Sequence, residues 1–576
     1  MIRQNLLNSL LCSIILIAPA FTVMAQTYKP GPQDLVFFSG VDETNQPYSI
    51  YIPGNYDHER AYPLVVFLHG AMSNNRLGLR RVFGQGNIQG VDFITPGNVP
   101  AETDLEATRY FPELHPVDYI VAAPLARGTA GYQGIPEQDV YDMIDDIKSR
   151  FRIDEDRVYL TGLSMGGGGT MWLGLTRPDI WAAIAPVCPA TPAGALELAP
   201  NALNLPVHLF VGDQDFIYQN SLDWKRDLEN NGVNLQYVEY PGIGHNSWEM
   251  AYEDAYIFDW FGQFKRDLFP ERVVFTTRQY KYNKAYWVTV DRLTPGTMSK
   301  VEAAFTAPNA IDVTTSGTGA FSVHLEGHPQ FDPGSRLTVT VDGRTFRLPT
   351  PGVASFTLED DRWVNRRYTP GLTSKRKGAE GPVIEAMAGN HIYVYGTADD
   401  PTQDELAARR EQAANAANWS VERGAWGRVM IFPRVLADRD VRQSDLEYSN
   451  LVLFGTRETN TLIDKYAGRL PMHLDPGDDE HGLVYIFPVN GRYVVVNSGL
   501  PWWTPTASGR PIGPGGGLAA LPPQNANLFG IEDFLLFHKT PDNIISKGRF
   551  DHEWQLAPLN IEKLSNSGVI NLNSNQ

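Results

Sequence analysis

Residues 161–170 read TGLSMGGGGT, directly after the short apolar run RVYL at 157–160. Gly162, Ser164 and Gly166 stand in G-x-S-x-G register. A serine lifted on a sharp strand-to-helix turn needs that spacing, because small residues let strand and helix approach while the hydroxyl is raised above the sheet. Five residues alone match by chance too often to decide, so the neighbours must. Gly162 and Gly166 answer to the tight turn and Gly167 to close approach of the helix. Gly168 and Gly169 each cost about 1 kcal/mol relative to Ala in a helix, which predicts a neighbouring loop crowding that first turn.

Outward from the motif, residues 31–268 alternate apolar runs with amphipathic stretches. The runs are LVVFL (64–68), YIVAA (119–123), RVYL (157–160), AAIAPV (182–187), VHLFV (207–211) and QYVEY (236–240). Runs of this kind suit strands buried on both faces, and the βαβα rhythm implies a mostly parallel sheet covered by helices, an α/β fold. Val140, Met143, Ile144, Ile147 and Phe151 form one helical stripe, and SWEMAYEDAYIFDWFGQF reads as the closing helix. The 64–68 strand ends in His69-Gly70, which offers the backbone N–H of Ala71, with that of Met165, as an oxyanion hole. The 207–211 strand ends in GDQD, and YPGIGHNSWE places His245 in a loop before the last helix. Serine, acid and histidine occur in the chain order that a strand–elbow–helix hydrolase uses.

These motifs, GLSMGG, G-x-x-D-x-x-Y and G-x-G-H, make residues 31–268 resemble the α/β-hydrolase superfamily. The resemblance is to secreted esterases of the feruloyl esterase and polyhydroxybutyrate depolymerase type, and to the prolyl-oligopeptidase-like catalytic domain. It covers less than half of the chain, and Tyr218 stands where the family pattern usually has Val. Two acids, Asp213 and Asp215, compete for the third position. The resemblance aligns Gly212 with the family glycine three residues before the acid and so selects Asp215, leaving Asp213 as a turn residue. It implies acyl transfer with catalytic Ser164, His245 and Asp215, without cofactor or metal.

The chain has 576 residues, enough for several domains. Residues 1–25 carry one charge, Arg3, an apolar stretch from Leu10 to Ile17 and small residues before Gln26, the layout of a cleaved secretory signal and hence of a secreted or periplasmic protein. Removing them leaves one cysteine, Cys188, and takes the formal charge from −18 to −19. An internal disulfide is then impossible, and nucleic acid, which is bound by neutralising phosphates with Lys and Arg, is an unsuitable partner. No later run is long and apolar enough to span a bilayer. Residues 26–268 read as the catalytic domain. Period-2 strands with a VDG hairpin signal over 271–365 read as an immunoglobulin-like β-sandwich. A basic Pro/Gly linker follows at 366–380, then a C-terminal α/β domain at 381–560 and a tail at 561–576. In that domain Gly396-Thr397 and Gly455-Thr456 follow two strands in equivalent places; generic turn chemistry accounts for them, and a ligand site at two helix N-termini is the sharper alternative.

The insertion between His69 and Tyr119 should line the mouth of the site. Its Arg76, Arg80 and Arg81 are read either as selecting an anionic or hydroxylated substrate or as ordinary surface cations. Only residues 188–205 separate the strands after the nucleophile, which excludes a large lid there. His69 is expected to orient the oxyanion loop, and His208, His328 and His538 to be structural. The acidic loop LDPGDDEHG (474–482) fits no calcium loop and reads as solvated. Trp502 and Trp503 suit packing better than a polymer-binding platform. The expected activity is hydrolysis of carboxylic esters from biomass or polymers, on polysaccharide or polymer carriers. A serine peptidase is the alternative, disfavoured because about 35 residues before the first core strands leave no room for a gating propeller. A non-catalytic binding protein need not keep Ser164, Asp215 and His245 together.

Overall fold

The computed structural model describes residues 28–86, 102–349, 352–371, 373–422, 428–510, 512 and 523–573. The expected signal segment and the part of the 69–119 insertion spanning 87–101 lie outside the described residues. Among the described residues no helix is long and apolar enough to cross a membrane.

The first sheet has eight strands: β1 (Gly31–Ser39), β2 (Thr44–Ile52), β3 (Tyr62–Leu68), β4 (Ile120–Pro124), β5 (Ile153–Leu163), β6 (Ala183–Val187), β7 (Val207–Gly212) and β8 (Leu235–Tyr240). Their order is β1-β2-β4-β3-β5-β6-β7-β8. The β1–β2 and β2–β4 pairs are antiparallel, and every pair from β4 through β8 is parallel. The apolar runs are continuous because both faces are covered. Leu64, Val66 and Leu68 of β3 join one core, while Val65 and Phe67 join the other. The predicted helical stripe lies on Ile135–Arg150 and is buried against the first of these cores. The edge strand β8 is only half-buried, so its QYVEY run is apolar on one side alone.

The closing helix differs from the sequence expectation. It is broken into Trp248–Ala251 and Tyr256–Phe261, with Asp254 and Ala255 at φ 52° and 58° between them. The break lets Tyr252, Ile257, Phe258 and Phe261 all enter one core, which a straight helix would spread around its axis.

Residues 272–364 form two five-stranded sheets around one apolar core. Asp342 and Gly343 of the VDG signal take φ 45° and 83°, the conformation a two-residue hairpin requires, between paired Val341 and Arg344. Beyond them a seven-stranded sheet runs in the order Arg434–Ala437, His391–Tyr395, Asn450–Phe454, Arg492–Gly499, His481–Val489, Phe534–His538, Ile544–Gly548. Its first four strands are parallel and its last three antiparallel.

The segment read as a linker is anchored. Ser374 and Lys375 are buried, Lys375 pairs with buried Asp533, and Glu380 accepts backbone N–H groups of Tyr280 and Lys281. The segment read as a tail also carries structure: Pro558–Asn566 is helical and Ile570–Leu572 pairs with Met472–Leu474. Trp502 is wholly buried and packs edge-on against Trp503. The two Gly-Thr turns are closed by protein groups. A Cβ on Gly396 would lie 2.0 Å from the Thr459 carbonyl. Thr402 and Asn460 cap the helices that follow, and the Asp438 carboxylate already accepts the Thr461 N–H. An acid occupies the place an anion would take.

Candidate active site

Ser164 sits between β5 and the helix Met165–Thr176 with φ 55° and ψ −115°. A residue with a Cβ is strained there and persists only where its surroundings enforce it. Three backbone bonds do so. The Ser164 N–H donates to Val187 O at 2.9 Å, and its carbonyl accepts from Gly168 N at 2.9 Å and Ala190 N at 3.0 Å. The glycine run is a record of what surrounds this turn. A Cβ on Gly166 would lie 2.0 Å from Leu68 O and one on Gly167 2.4 Å from Val187 O. At Gly168 it would meet Ala190 O at 1.9 Å, and at Gly169 the Tyr132 ring at 2.5 Å. The crowding loops expected at the last two glycines are therefore those carrying Ala190 and Tyr132.

His245 Nε2 lies 2.8 Å from Ser164 Oγ, and its Nδ1 lies 3.0 and 2.9 Å from the two carboxylate oxygens of Asp215. Asp215 is buried and also accepts the Ile217 N–H at 2.9 Å, whereas His245 keeps 23% of its side-chain surface exposed. With the proton on Nδ1 facing the carboxylate, Nε2 is the nitrogen left to accept from the serine hydroxyl. Asp213 does something else: its carboxylate accepts the Gly242 N–H at 2.7 Å, tying the acid's loop to the histidine's loop. Gly212 lets those loops touch, since a Cβ there would lie 2.2 Å from Ile243 O.

Facing the serine, a Cβ built on Gly70 would come within 3.6 Å of Ser164 Cβ, so the segment that continues into Ala71 passes the serine at Gly70. Met165 is the first residue of its helix, where the N–H has no intrahelical acceptor. His69 is buried and bridges to Leu125 O through Nε2 at 2.8 Å. Its Nδ1 lies 2.7 Å from Gly70 O, and burial pushes its pKa below the ordinary value, so the ring braces the 69–72 segment from both sides.

Several neighbours carried no sequence signal. Phe216, 80% exposed, lies with its ring 4.5 Å from that of His245, and Trp248 meets His245 edge-on. Buried Cys188 donates its thiol to His245 O at 3.4 Å. Burial, with Asp215 nearby, pushes that thiol up to about 12, so it stays protonated. Cys188, Asp215 and His245 place ligand-type atoms within 4.8 Å of one another. A metal there would need a thiolate and would displace the Asp215–His245 bond. No part of sequence periodicity points to these residues, because they come from three separate segments of the chain.

For Arg80 both sequence readings need correction. Arg80 is 2% exposed and its guanidinium binds the carbonyls of Gln85, Gly86 and Ala107, so it organises the insertion from within. Arg76 stacks on Phe111 and lies 3.4 Å from Asp34, and Arg81 lies over Trp248. The 188–205 segment forms the 3-10 helix Leu196–Asn204, whose Asn201 bonds to Thr276 of the next unit. His208 is buried against Phe210 and Trp260, and His481 of the acidic loop is held by Asp478.

The mixed sheet and the strand–elbow–helix define an α/β-hydrolase domain. Residues 41–253, less than half of the chain, match the family model described as "Putative esterase", and this segment is similar to that family. A stretch of 72 residues is 42% identical to a poly(3-hydroxybutyrate) depolymerase of Ralstonia pickettii, covering 12% of this chain and 14% of that protein's length. Among solved structures, a thermostable esterase is 25% identical with a TM-score of 0.32, covering 41% of this chain and 63% of its own. A ferulic acid esterase from Anaeromyces mucronatus is 17% identical with a TM-score of 0.30, over 41% of this chain and 92% of its own.

Proposed function

We propose that the protein is a secreted serine hydrolase that cleaves carboxylic esters, with Ser164 as nucleophile, His245 as general base and Asp215 as the group that fixes the imidazole. The observation that carries the reading is the unbroken bond path Ser164 Oγ–His245 Nε2–Nδ1–Asp215 at an elbow with φ 55°. His245 takes the serine proton as Oγ attacks the ester carbonyl, and the N–H groups of Ala71 and Met165 hold the oxyanion. The protonated imidazole then gives its proton to the departing alcohol, and water, activated by the same His245, releases the acid. Neither step calls for a cofactor.

The esterase family match supports ester over peptide substrates. The polymer-derived ester class is supported by the 72-residue likeness to a polyester depolymerase. It is further supported by an open apolar rim, where Phe216 and Met72, 80% and 40% exposed, flank His245 and the oxyanion segment. The layout of residues 1–25 supports export. Two sheets around one core support a β-sandwich over 271–365, and the mixed sheet beyond supports a separate C-terminal α/β domain.

The test is a panel of p-nitrophenyl esters, methyl ferulate, a polyester emulsion and prolyl-peptide anilides, run on wild type and Ser164→Ala. Ester turnover should fall by roughly 10⁴- to 10⁶-fold in kcat in the variant. Wild-type-like turnover by Ser164→Ala removes the nucleophile, and hydrolysis of anilides alone replaces the esterase with a peptidase.

A further inference from the structure

We infer that the C-terminal sheet domain is a working part of the ester site, and that Arg127 is the positioning residue through which it sets the oxyanion segment; the inference rests on the esterase reading above. The loop after β4 holds three successive residues at positive φ, Ala126, Arg127 and Gly128 at 45°, 62° and 84°, and the first two are strained there because they carry a Cβ. Non-glycine residues stay in that region only where their surroundings over-determine them. Here the surroundings are a wholly buried guanidinium. Arg127 donates through Nη1 to Asp42 at 2.5 Å, through Nε to Asp139 at 2.5 Å and through Nη2 to Ser39 Oγ at 2.8 Å.

The C-terminal domain closes this knot from behind. Met430 N donates to the Arg127 carbonyl at 3.2 Å, Gly128 forms an antiparallel bridge with Val429, and Phe432 N donates to Asp42 at 3.0 Å. Asn390 and Arg434 grip the same β1–β2 turn through Gly40 O and Glu43. On its other side the loop holds the site. The Leu125 carbonyl faces His69 Nε2 at 2.8 Å, Thr129 Oγ1 accepts the Met72 N–H at 2.9 Å, and Tyr132 OH donates to His69 O at 3.1 Å. A continuous set of bonds therefore runs from residues 429–432 to residues 69–72, which contain the proposed Ala71 donor. A buried arginine with two carboxylates is a poor stability device, because desolvation offsets the attraction. It is a good way to fix a backbone, and oxyanion donors work only when fixed in advance.

The test uses the full chain with p-nitrophenyl butyrate. Met430→Pro deletes one N–H from the C-terminal side and uncovers no buried charge. Arg127→Lys keeps the charge and loses the planar fork. Each should lower kcat by roughly 10- to 100-fold, the scale of an ångström-level misplacement, with KM within about twofold. Affinity for a trifluoromethyl ketone, which binds as a tetrahedral oxyanion, should fall in parallel with kcat/KM. Wild-type kcat in folded Met430→Pro, or a rise in KM alone, overturns the inference; should Arg127→Lys fail to fold, Met430→Pro decides. If wild type turns over no ester, the esterase reading fails and this inference with it. If wild type is active and the variants match it, only the inference falls.

Discussion

Gly168→Ala isolates the pressure of the Ala190 loop on the elbow. In an open helix the change would stabilise by about 1 kcal/mol. Here the added methyl would lie 1.9 Å from the Ala190 carbonyl oxygen, a backbone atom with no rotamer to escape into. The oxygen must retreat by roughly 1.5 Å to reach ordinary contact, and overpacking of this kind costs about 1–3 kcal/mol or more. The variant should therefore lose up to about 2 kcal/mol net of the propensity gain. Ala190 N is one of the two donors on the Ser164 carbonyl, so the displacement also reaches the proposed nucleophile, and kcat should fall by roughly 10- to 100-fold. Gly174→Ala in the same helix is the control. There the new methyl meets the end of the Ile184 side chain at 2.9 Å, which can turn away, so stability should change by less than about 1 kcal/mol. Urea denaturation gives the stability and p-nitrophenyl ester turnover the rate. A Gly168→Ala variant as stable and as fast as wild type would refute the argument that the Ala190 loop demands glycine.

The two acids after β7 should separate cleanly. Asp215→Asn should lower kcat by about 10⁴-fold, because the imidazole loses the partner that fixes its tautomer, while Asp213→Asn, which loses one bond to a backbone N–H at the surface, should cost less than about tenfold. Equal losses in steady-state kinetics would undo the assignment. A third expectation concerns pH. Burial first, with Glu385 nearby, pushes Glu380 up to about 8 despite the N–H groups of Tyr280 and Lys281 that it accepts. Its ordinary value is 4.5. Between about 4.5 and 8 the native state holds a proton that the unfolded chain has released, so stability falls as pH rises through this window. Glu380→Gln cannot titrate and should gain on wild type across it, reaching its largest advantage above about pH 8. Urea midpoints at about pH 5, 6.5 and 8.5 measure this, and parallel pH profiles for the two proteins would count against a neutral buried Glu380.

How much of this was legible in the sequence follows from the range of the interactions concerned. Strands β3 to β7 could be read as apolar runs because each is covered on both faces, and the Ile135–Arg150 helix because its stripe repeats at helical spacing. The half-buried β8, the unread β1–β2 hairpin and the break at Asp254 and Ala255 depend on which neighbour lies alongside, and periodicity does not record that. Ser164 and His245 could be found because the elbow and the G-x-G-H loop are local shapes with fixed residue needs. Between Asp213 and Asp215 the local signal was balanced, and a family alignment was needed to choose. In space one carboxylate faces the imidazole and the other a backbone N–H. Arg80 of the insertion shows the converse: a charged side chain looks exposed until the fold supplies carbonyls to bury it.

By itself, then, the sequence determined an α/β sheet, a serine on a tight turn, the histidine that follows it and a pair of candidate acids between them, because these rest on contacts a few residues long. Tertiary structure alone decided what Gly168 and Gly169 are for, why Arg80 is buried and how residues 429–432 reach the loop behind the site. Each of those includes a contact between segments more than twenty and up to about three hundred residues apart, and a linear pattern carries the need for such a contact without naming its partner.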